Sequence, residues 1–209
     1  YSSAASDVYK RQILNPDSKI ATLEQNNDYY TPLLKNFNKY NVYDTLDFIY
    51  ENKEKIIRRM NTSLVKKWHR NPEIIFYDVT NFFFETSDPD EDIFDEDGNI
   101  IETGIRKMGV SKENRKQPIV QMGLFMDDQG LPISIEAFPG NTLDANTFKP
   151  AISKSIDGLD YARFIMIGDR GMCNYQNIFH LLDQNHGYII AKSLLRSTKS
   201  EQELSLIHI

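Results

Sequence analysis

Three stretches set the architecture of this chain: Ile74-Ile75-Phe76-Tyr77-Asp78-Val79-Thr80, Ile119-Val120-Gln121-Met122-Gly123-Leu124-Phe125-Met126-Asp127, and Leu131-Pro132-Ile133-Ser134-Ile135-Glu136-Ala137-Phe138-Pro139. The first is short, apolar and β-branched, which predicts a buried strand, with a phenylalanine-rich continuation at 82–85. The second and third are joined by Asp127-Asp128-Gln129-Gly130, a turn-forming string, so they pair as an antiparallel hairpin. Downstream, 163–169 (RFIMIGD) reads as another buried strand and 188–192 (YIIAK) as a last one. Helices are expected between them, over 144–156 and over 175–184, the second ended by Asn185-His186-Gly187. A strand reached through a helix is usually parallel to its neighbour. The order strand, strand, strand, helix, strand, helix, strand therefore predicts an α/β fold, a ribonuclease H-like mixed sheet with flanking helices.

Upstream, Leu46, Ile49, Ile56, Met60, Leu64 and Trp68 recur at helical spacing between charged residues. They predict a long amphipathic helix, or two in series, ended by Asn71-Pro72. The domain organisation expected is a helical region at 13–72 and a core at 73–192. The ends, 1–12 (YSSAASDVYKRQ) and the close of 193–209 (LSLIHI), resemble translated sequencing-adapter DNA and are expected to be non-native.

Net charge is −6, which argues in bulk against nucleic acid. The acids are concentrated, however. Asp88, Asp90, Glu91, Asp92, Asp95, Glu96, Asp97 and Glu102 lie in one stretch without a base, and removing these eight turns −6 into +2. The stretch reads as a loop or hairpin turning at Asp97-Gly98-Asn99. Immediately after it come Arg106, Lys107, Lys112, Arg115 and Lys116, which suit salt-sensitive phosphate contact or, alternatively, pairing with the acidic run. An EF-hand alignment of that run fails, because Ile93 and Gly104 fall where acids are required. One cysteine, Cys173, permits no internal disulfide and fits a reducing cytoplasm. No apolar run approaches membrane-spanning length, and the four histidines show no ligand spacing.

Asp78 and Asp169 stand out as the candidates to carry chemistry. Each closes a predicted strand beside small or turn-forming residues, in Asp78-Val79-Thr80 and Gly168-Asp169-Arg170-Gly171. A carboxylate there is costly unless paired or bound to a cation, and two on adjacent strands suit hard divalent ions. The alternative is that each caps a following turn. Glu136, on a strand, is expected to face solvent.

Tyr77-Asp78-Val79-Thr80, Phe138-Pro139-Gly140-Asn141-Thr142 with Asp144, and Gly168-Asp169-Arg170-Gly171-Met172 with Asn177-Ile178 resemble, in order, the signatures of bacterial insertion-sequence transposases of the DDE (Asp-Asp-Glu) class, closest to the insertion-sequence-four superfamily. The segments 109–115 and 187–192 resemble that family's linker and fifth strand. The resemblance implies DNA strand cleavage and transfer, with Asp78 and Asp169 as the first two catalytic acids. It also implies two Mg2+ ions (Mn2+ as a substitute), DNA as partner, a homodimer in the complete enzyme, and a nucleoid-associated cytoplasmic location without a membrane. Thr80, Asn141, Asp144, Arg170 and Gly171 would stand beside the site. The family's third acid is a glutamate on a later helix; Glu201 and Glu203 lack its sequence context, so this chain is expected to lack it. The competing function is an inactive DNA-binding or interaction relic of the same fold, with a stand-alone metal-dependent nuclease as a third.

Overall fold

The computed structural model describes residues 2–25, 38–70, 72–110, 116–156, 159, 161, 163–172, 174–191 and 199. The chain divides into two compact units, Tyr1–Arg59 and Met60–Ile209. The division falls inside a helix, later than the end of the adapter-like start and earlier than the sequence boundary at 72.

The first unit is helical. α1 (Ser2–Leu14), α2 (Lys19–Glu24) and α3 (Lys39–Glu51) enclose a small core in which Val8 and Val42 are fully buried, flanked by Tyr9 and Leu23. Ser18 caps α2 through its side chain. Asn38 and Asn41 form a reciprocal capping box at the start of α3. Of the two upstream readings, two helices in series is the observed one: Asn52 separates α3 from α4 (Lys53–Trp68). α4 stops one turn before the proline, because His69 takes a left-handed φ of 53° and the Arg70 N–H returns to the Leu64 carbonyl (3.5 Å).

The second unit is built on a five-stranded mixed sheet. β1 (Ile74–Phe83) is central, β4 (Ile119–Asp127) and β5 (Pro132–Pro139) extend it antiparallel on one side, and β6 (Ile165–Gly168) and β7 (Gly187–Ile190) extend it parallel on the other. The spatial order is β5-β4-β1-β6-β7, the ribonuclease H-like order. The acidic run forms a separate hairpin, β2 (Ile93–Phe94) with β3 (Ile100–Glu102), which turns at Gly98 in the left-handed region (φ 83°).

α5 (Asp144–Ser155) and α6 (Tyr175–Asp183) supply the helical layer. Thr147, Phe148, Ala151, Ile152 and Ser155 form the buried stripe of α5. Of these, Phe148, Ala151 and Ile152 join Ile75, Tyr77, Val79, Phe125, Met166, Met172 and Leu181 in one core. Tyr77 anchors it, packed at 4.5 Å against Phe125 and edge-on at 5.5 Å against Phe148. The strands expected to be buried are buried on this side. Along β1, Ile75, Tyr77 and Val79 are buried while Phe76, Asp78 and Thr80 are exposed, and Ile165 of β6 is exposed too.

Glu136 is a second correction. It is 7% exposed, and Ser155 Oγ donates to its Oε1 (2.6 Å) while accepting from Ser134 Oγ (2.8 Å). The β4–β5 register shifts between Phe125 and Met126, and Ser134, Glu136 and Phe138 become the buried set in place of Ile135 and Ala137.

Candidate active site on the central parallel strands

β1 and β6 run parallel, with Tyr77 opposite Gly168 as their last pair. The next residue on each strand is an aspartate. Asp78 and Asp169 therefore stand at the same level on neighbouring strands, whose axes lie about 4.8 Å apart. Asp78 lies on the exposed side of β1, with Thr80 two residues further along the same face. Asp169 leads into a short 3-10 turn, Arg170–Met172.

Each carboxylate also holds its own backbone. Asp78 Oδ1 accepts from the Val79 N–H (2.8 Å) and Asp169 Oδ1 from the Gly171 N–H (2.7 Å). For Asp169 this is the turn-capping role weighed from sequence, whereas Asp78 lies inside β1 and caps no turn; both side chains remain exposed to solvent. Capping fixes the direction of a carboxylate without neutralising it.

Asp144 joins them. It opens α5 in the first helical turn, where a negative charge suits the helix dipole. A Cβ added at Gly171 would lie 3.0 Å from Asp169 Oδ1 and 3.6 Å from Asp144 Oδ2. Two carboxylates therefore converge on the space that this glycine leaves open. The same field reaches Tyr77. Its burial, first of all, and then the charges of Asp144, Glu136 and Asp78 hold its hydroxyl well above the ordinary phenol range, despite its hydrogen bond with Thr147. Tyr77 thus stays protonated and donates to Thr147 Oγ1 (2.8 Å).

The loop of residues 140–142 follows β5 and leads towards α5. Gln121, 5% exposed, donates to the carbonyls of Gly140 (3.5 Å) and Thr142. Gly140 abuts the Ile119 and Lys107 carbonyls so closely that any side chain would collide with backbone. Asn141 is exposed at the crest of this loop, and Arg170 is exposed beside Asp169.

The basic segment divides. Arg106 is paired with Asp90 (2.5 Å) and lies 5.7 Å from the Phe84 ring, and Lys107 is paired with Asp92 (2.8 Å). Both cations thus meet the acidic run, while Lys116 is exposed. Lys112 and Arg115 lie outside the described residues, as do Cys173, Glu201 and Glu203. Sequence reasoning gave no site role to Gln121, and it cited Asn177 only within a motif. Gln121 carried no signal, being one polar residue in an apolar strand; Asn177 carried a weak one, standing three residues after the helix-capping Asn174.

Mg2+ keeps several waters and is commonly held by only one or two carboxylates. Among the described residues no three His, Cys, Asp or Glu side chains are grouped to hold an ion by themselves. Exposed hard-oxygen donors at one level on adjacent strands, with the gap left by Gly171, fit an ion that retains much of its hydration.

Fold and site together define a ribonuclease H-like α/β unit with one carboxylate inside its central strand β1 and another just past the end of the neighbouring parallel strand β6. No protein-family model and no curated protein matches the chain. Among solved structures it is similar to the piggyBac transposase synaptic complex with hairpin DNA (9% identity, 96% of this chain and 44% of that one, TM-score 0.47) and to the Mos1 strand transfer complex (13%, 98% and 63%, TM-score 0.37). The Mos1 transposase paired-end complex with left transposon end is similar at 13% identity, over 88% of this chain and 57% of that one (TM-score 0.33). The chain spans about half the length of these neighbours.

Proposed function

We propose that this chain is the catalytic core of an insertion-sequence transposase of the DDE class, which cleaves and transfers DNA strands. The observation that carries the reading is the placement of Asp78 and Asp169 at one level on adjacent parallel strands of a β5-β4-β1-β6-β7 sheet. Asp78 and Asp169 would hold the divalent ions, Mg2+ or Mn2+, with Asp144 adding negative charge beside Asp169. Two such ions supply activation of the attacking hydroxyl and stabilisation of the leaving oxygen. The chain's own task is to keep the carboxylates oriented by the Val79 and Gly171 N–H groups and open to a DNA strand. Lys112, Arg115 and Lys116 would offset phosphate charge. Arg106 and Lys107, already matched by Asp90 and Asp92, would contribute to this less. No third acid is assigned among the described residues.

The test is nicking and strand transfer on duplex DNA with Mg2+ or Mn2+. The 209-residue chain is expected to give no robust cleavage. A longer product of the same reading frame that supplies a third acid is expected to cleave, and to lose at least about a hundredfold in rate in Asp78→Ala or Asp169→Ala, by analogy with removing an electrostatic stabiliser. Equal cleavage by the parent and both variants would sink the assignment. DNA binding without any metal-dependent cleavage would instead indicate the inactive relic.

A further inference from the structure

Asn177 sits in the first turn of α6 and is 2% exposed. Its side-chain amide donates to two separate elements: the Ala145 carbonyl in the first turn of α5 (2.9 Å) and the Met172 carbonyl at the close of the 3-10 turn (3.0 Å). Its backbone N–H is held by Asn174 Oδ1 (2.7 Å), so the side chain projects from a fixed base. The two carbonyls it joins flank the acids. Ala145 follows Asp144, and the Met172 N–H donates to the Asp169 carbonyl (3.2 Å), closing the turn that Asp169 begins. One buried amide therefore ties together the two backbone segments whose carboxylates converge beside Gly171.

We infer that Asn177 is a positioning residue for a divalent cation at Asp169: it acts through the backbone, by fixing the 169–172 turn against the first turn of α5. The inference rests on the metal reading of the preceding subsection. The chemistry is specific to the amide, since only its NH2 group offers two donors from one short side chain. Alanine removes both ties at once, leaving the Met172 carbonyl with the Asn174 N–H alone (3.0 Å), and aspartate presents acceptors to acceptors. Groups that orient metal ligands from outside typically change metal affinity by about 10–100-fold when removed.

The experiment measures Mn2+ binding, with Mn2+ alone as the probe, by the electron paramagnetic resonance signal of the free ion. It compares the 209-residue chain with Asp169→Ala, Asn177→Ala, Asn177→Asp and Ser155→Ala. Ser155→Ala removes a buried hydrogen bond at the opposite end of α5 and controls for general loosening. Asn177→Asp preserves side-chain size should the alanine variant fail to fold. Loss of binding in Asp169→Ala, a drop of about tenfold or more in both Asn177 variants, and parent-like binding in Ser155→Ala are expected. Parent-like affinity in a folded Asn177 variant overturns the inference, as does an equal drop in Ser155→Ala. Equal binding by the parent and Asp169→Ala overturns the metal reading itself, and the role of Asn177 with it.

Discussion

Gly171 has no side chain to contest the space where Asp144 and Asp169 meet, and that makes it a sensitive probe of the site. A methyl group there would press on Asp169 Oδ1 at 3.0 Å, and the carboxylate would have to give by a few tenths of an ångström. Because Gly171 is exposed, Gly171→Ala is expected to change stability by no more than about 0.5 kcal/mol and to weaken Mn2+ binding roughly tenfold. Thermal unfolding and Mn2+ titration on the same variant check both. A stability loss without an affinity loss would make Gly171 a packing residue only. Asp78 and Asp169 were legible in the sequence because a charged residue at the end of an apolar run is conspicuous. Glu136 was misread because alternation assigns a charged strand residue to solvent, and nothing in a single sequence reveals Ser155, nineteen positions later, as its donor. Asn177 could not be recognised as a tie for the same reason, since its acceptors are backbone carbonyls on other elements.

Among the elements, the β4–β5 turn and the end of α4 are joined by a buried polar cluster. Arg70 Nε donates to Asp127 Oδ2 (2.7 Å), with both side chains 3% exposed, and its other nitrogens donate to Asn61 Oδ1 (2.6 Å) and to the Leu131 and Pro132 carbonyls. Asp127 Oδ1 in turn accepts from the Gln129 and Leu131 N–H groups. Removing one partner leaves the other charge buried without its match, so Asp127→Ala is expected to cost about 3–5 kcal/mol. Denaturant unfolding checks this, and a cost below about 1 kcal/mol would show that the cluster relaxes to water. The β2–β3 hairpin is fastened differently, at the surface. Hydrogen bonds and charge from Arg106 hold Asp90 below the ordinary carboxylate value of 3.8, and Lys107 with the Gly104 N–H does the same for Asp92. A folded-state pKa below the unfolded one contributes stability that is complete above 3.8 and is lost as pH falls through the lowered folded values. Acidification below pH 3.8 is therefore expected to release the hairpin. Amide exchange at Gly104 and Arg106, whose N–H groups bond to these carboxylates, should accelerate relative to the β1–β4 ladder. Unchanged protection there would contradict the electrostatic anchoring. The hairpin itself was legible from Asp97-Gly98-Asn99, whereas its partners were open, since a basic run after an acidic one fits DNA and the hairpin equally well.

At the scale of the whole molecule, the order of elements was legible because each strand is a short apolar run bounded by turn residues, and each crossover is long enough for a helix. What periodicity could not supply was which face each helix covers. α5 and α6 fill one side of the sheet and leave Phe76, Asp78 and Thr80 on the other. The parallel β1–β6 register nevertheless places the two aspartates side by side, and the account depends on that pairing acting as one cation site. Its most direct test is a Mn2+ titration of the isotopically labelled chain followed through paramagnetic broadening of backbone amides. The account predicts that the Val79 and Gly171 amides, each bonded to one of the two carboxylates, broaden together at the lowest Mn2+ concentrations, and that Asp78→Ala or Asp169→Ala diminishes the broadening at both. Broadening that begins instead along residues 88–102, with Val79 and Gly171 responding independently or only at high Mn2+, would contradict it.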